Sequence, residues 1–237
     1  MKASKISAAI GAVAGLALLL PACIIHVDSD GEWCSSVWSD DGGPMLRGSG
    51  TRVTQGRETT EFKAIVVRGM ADVHARIGNE RRVNVSTDDN LVDKVRTEVR
   101  DGTLFVDLER GSYQFRSGVV VDVTVPSLER LEISGSGDAT IDGLGCSNLA
   151  LGISGSGNIV ANGTVDALSA NVSGSGDLDL SRVVARAATV SISGSGDIEV
   201  QATETLDASI SGSGDVMYRG PALVRSRISG SGEVERH

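Results

Sequence analysis

From Phe62 onward, apolar and polar residues alternate with a period of two. Val83-Asn-Val85, Leu104-Phe-Val106-Asp-Leu108 and Val119-Val-Val-Asp-Val-Thr-Val125 read as strands rich in β-branched residues. Asp101-Gly102 predicts a tight turn between two of these strands. Leu91 to Val99 offers a short helix, and no segment carries the pattern of a long amphipathic one.

From Ile133 the alternation becomes a repeat. Six copies of an apolar-Ser-Gly-Ser-Gly-acidic/amide phrase begin at Ile133, Ile153, Val172, Ile192, Ile210 and Ile228, spaced 20, 19, 20, 18 and 18 residues apart. A fixed period near 20 means one structural unit laid down repeatedly, each copy walling the core of the next. In Leu149-Ala-Leu151-Gly-Ile153-Ser-Gly155-Ser-Gly157-Asn-Ile159, every second residue is apolar or glycine. Those residues share the inner face, while the serines and the acidic residue face outward. Glycine at an inner position fills no volume and predicts a corner where the backbone bends. Twenty extended residues reach about 66 Å at most, enough for one circuit of a narrow prism. The expected fold is therefore all-β, a parallel β-helix of about 20 residues per coil, with coils ~4.8 Å apart. An up-and-down antiparallel sheet is the alternative. It accommodates Asp142-Gly143 and Asn162-Gly163 as hairpin turns but leaves the six identical inward glycine pairs without a cause. A looser copy, Val67-Arg-Gly69-Met-Ala71-Asp72-Val73, places the start of the domain near residue 61. Residues 61–237 would then make roughly nine coils.

Ahead of that domain lie two further segments. Lys2 and Lys5 followed by the apolar run Ile6–Leu20 and Pro21-Ala22-Cys23 predict a signal peptide over 1–22. Cysteine at that place resembles the bacterial lipoprotein signal, which implies an acylated Cys23 as membrane anchor without a spanning helix. Pro21 departs from that pattern, and plain cleavage is the other reading. Ile24 and Ile25 lack the aspartate that retains many such proteins at the inner membrane, so the outer membrane is the expected location. Residues 23–60 are acidic and rich in Gly and Ser, the composition of a tether. Trp33 and Trp38 are its apolar exceptions, read as loop anchors.

The net charge of −9 becomes −11 once Lys2 and Lys5 leave with the leader. Such a chain repels phosphate backbones, which excludes nucleic acid as the expected partner. Cys34 and Cys146 can pair in an oxidising envelope or stay as thiols, and no C-x-x-C element suggests zinc.

Phe62-Lys-Ala-Ile65-Val-Val67-Arg-Gly69-Met-Ala-Asp72-Val73, Val95-Arg-Thr-Glu-Val99-Arg-Asp-Gly102-Thr-Leu104, Val123-Thr-Val-Pro126-Ser-Leu128 and the Ser-Gly-Ser-Gly-Asp series together carry a resemblance. Over about residues 60–236 the chain resembles the family described as "putative auto-transporter adhesin, head GIN domain". The resemblance implies a right-handed β-helix similar to the pectin-lyase type and an adhesive role. It carries over no catalytic residues.

The residues themselves point the same way. No histidine lies between Ala75 and Arg236, and no lysine follows Lys94, so the repeat serines lack a local base. The candidate binding surface is an outward column: Ser134, Ser136 and Asp138; Ser154, Ser156 and Asn158; Ser173, Ser175 and Asp177; Ser193, Ser195 and Asp197; Ser211, Ser213 and Asp215. Three uses of that column stand side by side. It can meet an unknown protein or glycan ligand, with no cofactor or metal. Its carboxylates can do glycosidic chemistry on a polysaccharide. It can also bind calcium, which would relieve the ~0.9 kcal/mol repulsion between charges ~4.8 Å apart in water. Against calcium, each side chain can accept a turn amide instead. Against any binding role, the face can simply be solvated.

Overall fold

The computed structural model describes residues 45–237. The leader, Cys23, Cys34, Trp33 and Trp38 lie outside the described residues. About 69% of the described residues are in strands, and parallel coils of roughly 20 residues stack into a β-solenoid of about five turns. The long strands Ala139–Gly155, Ile159–Gly174, Leu178–Gly194 and Ile198–Gly212 each pair in parallel with the next. Each of them bends around the prism. In the first of them the register shifts between Ile141 and Leu144, so residues 139–141 pair before that corner and residues 144–155 after it. Asp142-Gly143 and Asn162-Gly163 are corners of these coils, not hairpin turns. The Gly143 N–H donates to Asn162 Oδ1 (3.0 Å), and Asn162 Nδ2 donates to Asp142 Oδ1 (2.6 Å).

The register stacks like on like. Ile133, Ile153, Val172, Ile192, Ile210 and Ile228 fall opposite one another, as do the first glycines of every phrase. The interior is aliphatic and, apart from Ile228 in the last coil, the Ile/Val column is buried, while the first glycines are half-buried or, in the last coil, exposed. Full burial of each such side chain contributes about 1.5–3 kcal/mol. Among the described residues, no further coil stacks on the last strands, Leu223–Gly230 and Val234–Arg236. There Leu223 and Ile228 are exposed.

The expectation of nine coils gives way to about five because the segment before Pro126 does not stack in chain order. Ala64–Gly69 lies between Thr103–Leu108 and Arg130–Gly135. Asp72–Ile77 lies between Val120–Val125 and Ala139–Gly155. The intervening chain builds an end cap with antiparallel strands. Val95–Arg100 pairs with Thr103–Leu108 through the Asp101-Gly102 turn, where both residues have positive φ (49° and 70°). That is the twist a two-residue hairpin requires. The expected helix over 91–99 is only a 3-10 turn at Val92–Lys94, and Val95–Arg100 is strand. Val95 and Val99 follow strand parity, and the hairpin partner outweighs the weak local helix preference. Strands also occur ahead of residue 61. Leu46–Arg47 pairs with Tyr113–Gln114, and Arg52–Arg57 runs antiparallel to Arg82–Asp88.

Asp88 holds this cap together. Its carboxylate is fully buried. Oδ1 accepts from the Gly50 N–H and the Ser117 hydroxyl, each at 2.8 Å, and Oδ2 accepts from the Arg116 N–H at 2.8 Å. Burial pushes the pKa up, but the hydrogen bonds from Arg116, Ser117 and Gly50 outweigh it and hold the group below its ordinary value. A depressed folded-state pKa gives stability that is complete above the unfolded value and is lost as pH falls through the folded one. Stability should therefore decline on acidification below about pH 4. In Asp88→Asn the acid limb of a pH series of denaturant melts should be flatter and the pH 7 stability lower. An unchanged limb would remove Asp88 from this role.

Candidate binding face

Every repeat phrase turns one corner of the prism, and the same hydrogen bonds recur there. The N–H of the second serine donates to the carbonyl of the first glycine one coil back: Ser156 to Gly135, Ser175 to Gly155, Ser195 to Gly174 and Ser213 to Gly194, all at 2.9 Å. The glycines are required by that approach. A Cβ on Gly174 would overlap the Gly155 carbonyl oxygen, and one on Gly176 would overlap that of Gly157. The first glycine also sits at positive φ, +135° for Gly174. The missing side chains thus point along the stack at the preceding coil, at the corner expected from these glycines.

The acidic or amide side chain closes the same corner. Asp138 Oδ1 accepts the Asn158 N–H (2.8 Å), Asn158 Oδ1 accepts the Asp177 N–H (3.0 Å), and Asp177 Oδ1 accepts the Asp197 N–H (2.8 Å). Asp197 and Asp215 repeat the bond to Asp215 and Glu233 at 2.8 Å. Asp72, in the looser first copy, begins the ladder by accepting the Asp138 N–H at 3.0 Å. One side-chain oxygen per coil, from a carboxylate or from the Asn158 amide, is thereby committed to backbone. This is the turn-amide use of these residues. Among the described residues, no group of three or more His, Cys, Asp or Glu stands where it could hold a metal ion.

The serines remain outward. Ser134, Ser154, Ser173, Ser193 and Ser211 are exposed and fall in one register column, and Ser136, Ser156, Ser175, Ser195 and Ser213 form a second exposed column. The neighbouring outward positions of the same sheet are small and uncharged in the middle coils: Ser169, Asn171, Thr189 and Ser191. His74 stands on a different side of the prism, 3.2 Å from Asp122, in a strand that contains none of the phrase serines.

Residues 61–222 match the family model described as "Putative auto-transporter adhesin, head GIN domain". The chain belongs to this family. Solved structures similar to this head GIN domain chain include a putative adhesin from Bacteroides fragilis NCTC 9343. It is 22% identical with a TM-score of 0.67, covering 81% of this chain and 100% of that one. A putative lipid binding protein from Parabacteroides distasonis ATCC 8503 is 27% identical with a TM-score of 0.51, covering 81% and 99%. A putative adhesin from Parabacteroides merdae ATCC 43184 is 20% identical with a TM-score of 0.51, again covering 81% and 99%. The likeness to the two adhesins is one of fold. No curated protein matches the chain.

The ladder leads to a direct comparison of two variants. Asp177→Ala leaves the Asp197 N–H without its acceptor and should cost about 1 kcal/mol. Asp177→Asn keeps an oxygen there, as Asn158 does naturally, and should cost far less. Denaturant melts, with amide exchange at Asp197, read both. Equal destabilisation by the two variants would remove the ladder from the account.

Proposed function

We propose that this head GIN domain protein is a non-catalytic interaction module of the bacterial cell envelope, held by an acylated Cys23 and displaying its serine columns to a surface ligand. The observation that carries this reading is the division of labour in the phrase. Glycines and carboxylates serve the stack, while the hydroxyls stand outward in register and are left for a partner. The family's adhesin description supports an adhesive role. The separation of His74 from the phrase serines supports a role without serine catalysis. The signal-like start and Cys23 support an outer-membrane anchor, and the net charge of −9 supports a protein or glycan partner over nucleic acid.

Replacing Ser173, Ser193 and Ser211 together by lysine should leave the melting temperature within a few degrees of wild type, because the side chains are outward. The same variant should lose attachment of protein-coated beads to cells or matrix. Full attachment by a folded triple variant would reject the serine columns as the adhesive surface.

A further inference from the structure

The stack carries a cap at one end and an open strand at the other. Among the described residues, Leu223–Gly230 pairs only with Ile198–Gly212, so one edge of this 8-residue strand has no partner. Leu206 and Ile210 are buried with Val224 and Ile228 stacked on them, but no rung covers Val224 and Ile228 in turn. Ile228 is 46% exposed and Leu223 77%. The corner is open as well. The Gly212 carbonyl accepts the Ser231 N–H and the Asp215 carboxylate accepts the Glu233 N–H, whereas no described residue donates an amide to the Gly230 carbonyl or the Glu233 carboxylate. A free strand edge beside exposed core side chains is a template for strand addition.

Charge decides which strand fits. The outward positions near the middle of this edge are Arg225 and Arg227, and the strand contains no carboxylate. Arg225 is largely exposed and meets Asp207 only at 4.0 Å. Arg227 is exposed and makes no ion pair among the described residues. Two copies of this strand laid together, inner face beside inner face, set Arg225 against Arg227 or an arginine against its own counterpart. Like charges directly opposite are destabilising, so the edge is protected against pairing with itself. The complementary strand has two carboxylates one residue apart, a small residue between them and an apolar residue beside them. Alternation then sets the carboxylates outward beside the arginines and the small residue beside Ser226.

The chain contains such a segment. Ile25-His-Val27-Asp28-Ser29-Asp30-Gly31 lies outside the described residues, within a stretch, 24–44, that has five carboxylates and neither lysine nor arginine. We propose that residues 25–31 of a second copy add to the open edge as a further strand, with Asp28 and Asp30 meeting Arg225 and Arg227. Both strand directions satisfy this match. Parallel pairing sets Val27 beside Val224, and antiparallel pairing sets it beside Ile228. Each molecule has one edge to fill and one segment to give. The edge contains none of Ser173, Ser193 and Ser211, so variants there test the adhesive face and variants at Arg225 and Arg227 test this contact.

The experiment is sedimentation velocity of the chain without its leader, carrying Cys23→Ser and kept in reductant, so that neither lipid nor a disulfide drives association. Thermal melts confirm the fold of every variant. The expected result is self-association that weakens as salt rises. Asp28→Lys with Asp30→Lys should weaken it by about tenfold or more, and Arg225→Glu with Arg227→Glu should do the same. Mixing these two variants should restore association, because the acidic segment of one meets the arginine edge of the other and the lysine segment meets the glutamate edge. Arg225→Gln with Arg227→Gln gives the same comparison, with a smaller loss, if charge reversal disturbs the last coil. A monomer at every concentration up to millimolar, association undiminished in the folded variants, or a mixture no tighter than its components would each overturn the proposal.

Discussion

The close approach of successive coils at the glycine corner is the constraint on which this structure depends. A carbonyl from one coil occupies the place where a side chain of the next would stand, and in exchange it receives that coil's serine N–H. The aspartate two residues beyond the second glycine's predecessor holds the following amide in the same way, from Asp72 to Asp215. Two requirements of one turn, glycine at the close approaches and a side-chain acceptor for the next coil's amide, account for three of the six phrase positions. The leading Ile or Val is the core contact that stacking buries, and the two serine side chains are left outward.

A stack built this way presents its outer positions as columns by necessity. That property underlies both functional readings. In the middle coils the columns are serine, asparagine and threonine, giving an even hydroxyl face. Nearer the cap the columns are interrupted, because a looped-out segment of the chain re-enters on the far side of its own first coil. Outward charge stands at both ends of these columns: Arg130 and Glu132 precede Ala150 and Gly152, and Asp207, Arg225 and Arg227 follow the middle coils.

The repeat block was legible in the sequence because strand alternation buries Ile153 and Ile159 and exposes Ser154 and Asn158, and the identical glycines at a 20-residue period favour stacked coils over an antiparallel sheet. The ladder role of Asp177 and its equivalents was legible as the turn-amide alternative to calcium. The cap was not, since alternation identifies Val83–Val85 and Leu104–Leu108 as strands without saying which neighbour each takes or in which direction. Arg52–Arg57 escaped notice because Gly56, Gln55 and three polar neighbours make it read as tether, yet backbone pairing with Arg82–Asp88 supplies what its side chains lack.

The melting temperature of Gly176→Ala against that of Ser175→Ala tests the corner most directly. Gly176 has an ordinary φ, so its alanine variant reports the carbonyl of Gly157 rather than backbone handedness. With about 2–3 kcal/mol lost to that overlap, the midpoint should fall by about 5–10 °C, while Ser175→Ala, outward on the same turn, should change it little. Equal midpoints for the two variants would contradict the account.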